Sequence, residues 1–106
     1  MNRFLILALA CFGAHAFAAG DADSGKLKSQ ACAACHGPDG NSPAGPDFPR
    51  LAGQHYDYLP KALRDYKSGA RKNPIMGAQV GGLNPQDMAD LAAFYSREKG
   101  SLHVVR

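Results

Sequence analysis

Long apolar runs are nearly absent from this chain of 106 residues. The one such stretch, from Phe4 to Gly13, falls well short of the about 20 residues that a membrane span needs, and no other comes close. Cysteine is scarce: the three present, at 11, 32 and 35, are too few for a framework of structural disulfides. A strong excess of one charge is also missing. The formal +3 is small, and its lysines and arginines are interspersed with acids, which argues against a nucleic-acid partner. No alternating apolar strand precedes Cys32, so the βαβ context of a thioredoxin-like dithiol is lacking. Without an internal repeat, a low-complexity tract or a linker, the chain reads as one domain.

What is present is Cys32-Ala33-Ala34-Cys35-His36. Three residues are a little under one helical turn, so both thiols lie along one edge of the chain and the imidazole follows at once. A zinc site would need a second ligand pair, and His55 and His103 stand at isolated positions. The motif therefore reads as covalent attachment of one c-type haem: Cys32 and Cys35 each add to a vinyl group, and His36 reaches the iron.

The N-terminus supports an oxidising destination. Met1-Asn2-Arg3 is a basic start, the apolar run follows, and Ala14-His15-Ala16-Phe17-Ala18 offers small-x-small cleavage sites. Residues 1–18 read as a signal peptide, cleaved after Ala18 or alternatively at Ala16 or Ala19, leaving 19–106 as a soluble periplasmic domain. Cys11 lies within the apolar run and would be lost; Ala8-Leu9-Ala10-Cys11 is a poor match to a lipoprotein cleavage site. Loss of Arg3 takes the formal charge from +3 to +2, and a chain of roughly 88 residues needs a large apolar cofactor to complete its core.

Along the mature chain, Asp21 or Asp23 can cap a helix running to about Ala34, with Leu27 and Ala31 facing inward. Gly25 within it suggests that another element approaches closely. Four prolines and three glycines between Gly37 and Arg50 exclude a regular element, and this long loop is expected to wrap one haem face. A carbonyl of that loop, from Pro46 or Pro49, should accept the Nδ1 proton of His36 and leave Nε2 for iron. A helix is expected from about His55 to Ser68, with Leu59, Ala62, Leu63 and Tyr66 on its inner face; Pro60 implies either a start near Tyr58 or a kink. Gly69 stops it.

Asn73-Pro74-Ile75-Met76-Gly77, with glycines following at 81 and 82, reads as an irregular loop, where a methionine is a good candidate sixth ligand. The rival, Met88, falls on one stripe of a final helix with Leu91 and Tyr95 and reads as core. That helix is capped by Asn84-Pro85 and ends near Lys99, before Gly100. His55 reads as a surface histidine, and Tyr56, Tyr58 and Tyr66 as packing residues.

These features together resemble the class I c-type cytochromes of bacteria, most closely the single-haem cytochromes c553 or one half of a dihaem cytochrome c4. The resemblance rests on Gly25, Cys-Ala-Ala-Cys-His-Gly-x-Asp-Gly, Pro-Arg-Leu-Ala-Gly-Gln at 49–54, Ser-Gly-Ala-Arg at 68–71, Pro-Ile-Met at 74–76 and Asp-Leu-Ala-Ala-Phe-Tyr at 90–95. It implies an all-α fold of about three to four helices and long loops, with the terminal helices crossing at the haem edge and Gly25 meeting Phe94. It implies His36 and Met76 as axial ligands. It also implies an electron carrier, not an enzyme, serving membrane respiratory complexes, a terminal oxidase or a periplasmic reductase or dehydrogenase. Only one haem motif is present, so a whole dihaem protein is not expected, and Pro60 departs from a helix the family keeps smooth. The runner-up function is the electron-accepting haem subunit of a periplasmic dehydrogenase. A gas sensor would need an open sixth position, which Met76 opposes.

Overall fold

The computed structural model describes residues 19–102, so the expected signal peptide with Cys11, and the tail with His103, lie outside the described residues. Among the described residues there are five helices and no strand: α1 Ala22–Lys28, α2 Gln30–His36, α3 Tyr58–Ser68, α4 Pro74–Val80 and α5 Pro85–Arg97. None of them is long and apolar enough to cross a membrane. The all-α fold is as expected, but with more helices than the three to four anticipated, for two local reasons. Asp21 caps α1 by accepting from the Ser24 amide, and the helix then breaks at Ser29, whose hydroxyl bonds back to the Lys26 carbonyl at 2.7 Å. Back-bonding of this kind competes with the helical ladder. The second reason is α4, described with the site below.

The inner stripe of α1 and α2 is not the one that hydrophobicity suggests. Leu27 is 71 % exposed and Ala31 is exposed, while Gly25, Ser29 and His36 are buried and Cys32 is half-buried. These positions follow i, i+4, i+7 and i+11, a continuous helical face built of small and polar residues. The reason is proximity to α5. A Cβ on Gly25 would lie 1.9 Å from the Asp90 carbonyl oxygen and 2.9 Å from the Phe94 Cβ, so only glycine allows this approach. The close neighbour suggested by Gly25 is therefore α5, at Phe94.

α5 is the spine of the molecule. Asn84 and Asp87 form a reciprocal capping box with Pro85 in the first turn, and Met88 and residues 90–95 are buried. Leu59 of α3 joins Leu91, Ala92, Phe94 and Tyr95 in the apolar cluster, flanked by Leu51, Leu63 and Leu83. The helix ends at Arg97 instead of near Lys99, because Glu98 turns extended and the following residues lie across the loop: a Cβ on Gly53 would meet the Leu102 carbonyl at 2.0 Å. In α3, Pro60 sits in the first turn, where its missing N–H costs nothing, so the helix starts at Tyr58 and not near His55. Gly69, at φ +83°, ends it as expected.

A polar weld reinforces the α1–α5 contact. Buried Asp90 accepts from the Asp21 amide (2.8 Å), Gln86 (2.9 Å) and Lys28 (2.5 Å), and Lys28 also pairs with Asp87 at 2.9 Å. Burial pushes the Asp90 carboxyl up, but the Asp21 amide, Lys28 and Gln86 together outweigh it and hold the group below the usual carboxylate range. The Asn84 amide, then Lys28, does the same for Asp87.

Two outcomes are expected. Gly25→Ala should destabilise the haem-loaded protein by about 3 kcal/mol or more, because α1 must move off α5; a denaturant midpoint checks it, and an unchanged midpoint contradicts the packing. Because the native carboxylates are depressed, their contribution to stability is complete above about pH 4 and lost as pH falls through the native values. Urea melts between about pH 6 and pH 2.5 should show that acid limb in the wild type and a flatter one in Asp90→Asn.

Candidate functional site

α2 presents the motif. Cys32 and Cys35 are free thiols, both half-buried, three residues apart on one side of the helix. His36 is the last helical residue and only 5 % exposed. Gly37 follows at φ +85° and reverses the chain into the proline-rich loop. The loop returns so that His36 Nδ1 donates to the Pro49 carbonyl at 2.8 Å; of the two carbonyls expected, Pro49 makes the bond. A carbonyl can only accept, so the proton belongs on Nδ1 and Nε2 carries a free lone pair. The Phe48 ring stands edge-on to the imidazole, with centroids 6.3 Å apart.

Cys32 packs against the apolar cluster. Burial, above all, pushes its thiol up from the usual range. That disfavours the thiolate which a redox dithiol or a zinc site requires, whereas a thioether is neutral and suits the position. Among the described residues no three His, Cys, Asp or Glu side chains converge as a metal site. Next to Cys32 lies Tyr95, 3 % exposed, whose ionisation is driven up, chiefly by burial and further by the Cys32 thiol beside it, with Ser29 opposing in part. Its ring fills the space where a Cβ of Gly40 would fall, 2.7 Å away, which ties α5 to the loop beyond His36. An apolar wall, two half-buried thiols and a buried imidazole held through Nδ1 are the set that a covalently held haem needs.

Met76 does not lie on the irregular loop expected of it. Asn73, extended at φ −153°, accepts from the amides of Ile75 and Met76 at 3.0 Å each, and Pro74 opens α4, so Met76 sits in the first turn of a short helix. An Asn-Pro start outweighs the glycine at 77, which is tolerated inside a single pair of turns. The side chain is half-buried, and α4 packs on α3. Met88 is 2 % exposed on α5, a core residue as expected, and His55 is exposed. An open cleft of about 610 Å³ between residues 53–57 and 96–102 holds none of the motif residues. Sequence reasoning passed over Ser29, Gly40 and the place of Tyr95 beside Cys32; the 25, 29, 32, 36 spacing was the available signal for the first.

The geometry agrees with what the chain is similar to. The family model for cytochrome c matches residues 22–96. Cytochrome c4 of Pseudomonas aeruginosa is 46 % identical over 104 residues, covering 96 % of this chain and 51 % of that protein. Cytochrome c-554(548) of Halomonas halodenitrificans is 42 % identical over 84 residues, covering 76 % of this chain and 100 % of its own length. A thiosulfate dehydrogenase electron acceptor of Thiomonas intermedia is 35 % identical, over 95 % of this chain and 49 % of that one. The crystal structure of reduced recombinant cytochrome c4 from Pseudomonas stutzeri superposes with a TM-score of 0.73 at 44 % identity, covering 78 % of this chain and 48 % of that one. The chain thus spans about half the length of the cytochrome c4 proteins it matches. On its helices, its attachment motif and these relationships, the chain belongs to the cytochrome c family, with the small class I fold and covalently bound haem c as its cofactor.

Proposed function

We propose that this protein is a soluble periplasmic one-electron carrier, exported by residues 1–18 and folded as one cytochrome domain over 19–106, with His36 and Met76 as the axial ligands. The observation that carries the reading is His36 itself: buried, with Nδ1 bound to the Pro49 carbonyl so that Nε2 is the nitrogen left for iron, directly after two thiols on the same helix. Bound haem supplies a reversible one-electron iron couple. The chain's own residues do the rest. Cys32 and Cys35 anchor the group to α2, and the Pro49 carbonyl holds the imidazole orientation and raises its basicity. The soft, neutral thioether of Met76 favours ferrous iron and raises the potential. Leu51, Leu59, Leu63, Leu83 and Tyr95 keep water away from this side of Cys32.

With His36 and Met76 both ligating, a haem held here would leave substrate no open position on the iron, which supports carriage in place of catalysis. Partners are redox proteins: membrane respiratory complexes, a terminal oxidase, or a periplasmic reductase or dehydrogenase. Encounters of this kind bury less than about 1,200 Å² and are steered by modest charge, which suits a domain at +2 after loss of Arg3 from the formal +3. A second reading, the haem subunit of a dehydrogenase complex, is favoured by the similarity to a thiosulfate dehydrogenase electron acceptor. Co-purification of a stoichiometric partner from the periplasm separates the two.

The ligand assignment has its own expected outcome. Met76→Ala should abolish the weak far-red sulfur-to-iron band of the ferric protein, lower the potential by on the order of 0.1–0.3 V, and let ferrous iron bind carbon monoxide. Met88→Ala should leave the band in place and cost only stability. The reverse pattern would transfer the ligand role to Met88.

A further inference from the structure

The turn joining α3 to α4 is tied down more firmly than its exposed position requires. Arg71 makes three separate contacts across it. Its amide donates to the Asp65 carbonyl at 3.0 Å, Nη1 donates to the Tyr58 hydroxyl at 3.1 Å, and its guanidinium carbon lies 4.7 Å from the Tyr66 ring centroid. Tyr58 and Tyr66 are about two helical turns apart, so Arg71 straps the turn back along the face of α3. Only Lys72 then separates the strap from Asn73, whose side chain takes the amides of Ile75 and Met76.

α4 needs such help. Its seven residues are too few to hold a helix alone, Ile75 is 57 % exposed, and Val80 is its one fully buried side chain. Met76 stands in the first turn, so beside the packing of α4 on α3 its position depends on the cap and on whatever holds the cap. We infer that Arg71 is a positioning residue for Met76: the strap on Tyr58 and Tyr66, acting through Asn73, is a latch that keeps the thioether seated and so sets how readily the sixth position opens. This inference rests on the His36/Met76 reading. Lysine is not an equivalent substitute, since it lacks the planar fork that can bond one tyrosine while stacking on another.

The experiment uses the haem-loaded protein and compares wild type with Arg71→Met, Arg71→Lys, Tyr58→Phe and Met76→Ala. Two quantities are read: the rate of carbon monoxide binding to the ferrous form, and the guanidinium midpoint for loss of the far-red ferric band, set beside the midpoint for loss of helical signal. Removing one hydrogen bond and one cation–π contact should open the latch about tenfold more often. Arg71→Met should accordingly bind carbon monoxide about tenfold faster and lose the band at lower denaturant, with the helical midpoint unmoved. Tyr58→Phe should give a smaller acceleration, and Arg71→Lys should restore part of the lost seating. Wild-type rates and band in Arg71→Met would overturn the latch, as would band and helical signal shifting together, which would mean general support of the fold. If Met76→Ala keeps the wild-type band, the ligand assignment fails instead and takes the latch with it.

Discussion

The hydrogen bond from His36 Nδ1 to the Pro49 carbonyl, 2.8 Å long, is the interaction on which the remaining architecture converges. It joins the end of α2 to a loop that has no regular structure of its own. The loop reaches that position through a few backbone bonds: Ala44 donates to the Cys35 carbonyl at 2.9 Å, and Leu51 donates to Gly40 at 2.7 Å. Gly37 and Gly40, both at positive φ, permit the reversal. The Tyr95 ring then occupies the space beside Gly40, and Gly53 donates to the Tyr95 carbonyl at 2.9 Å, so one residue of the spine helix holds the site loop and its continuation. A change that disturbs Pro49, Gly40 or Tyr95 therefore reaches the imidazole without touching it.

The core built around this bond is thin. Its buried apolar residues include Ala52, Ala92 and Ala93, and Val80 is the largest side chain buried completely. The longest helix contact, α1 on α5, relies on a glycine crossing and a carboxylate weld as much as on apolar area. Small domains bury a low fraction of their surface, and a large flat cofactor joined to Cys32 and Cys35 would add apolar contact that so small a core lacks. Fold and site are in this sense one structure, with the cofactor as part of the interior.

Much of this was legible in the residues. The Cys32-Cys35-His36 spacing, the Asn84-Pro85 start of α5, the Gly69 stop and the core character of Met88 each follow from a local rule that no tertiary contact overrides, whereas the choice of Pro49 over Pro46 needed the folded loop. The failures have separate physical causes. Leu27 was expected inside because it is apolar, yet α5 passes so close that only Gly25 and Ser29 fit beneath it. The break at Ser29 depends on a hydroxyl choosing a backbone partner, which composition does not reveal. The segment holding Met76 looked irregular because of its glycines, whereas the Asn73 cap and Pro74 together begin a helix that packing on α3 completes. Arg71 stood in the Ser-Gly-Ala-Arg stretch of the resemblance, but its contacts, with residues up to 13 positions away, were not legible there.

A redox titration of the wild-type protein isolated from the periplasm, followed by its visible spectrum, tests the central claim most directly. A His36/Met76 haem should give a single one-electron transition at a potential well above that of bis-histidine haems, with the far-red sulfur-to-iron band present in the oxidised form and no uptake of carbon monoxide on reduction. A low potential with a bis-histidine spectrum, or an open-site haem that binds carbon monoxide at once, would contradict it.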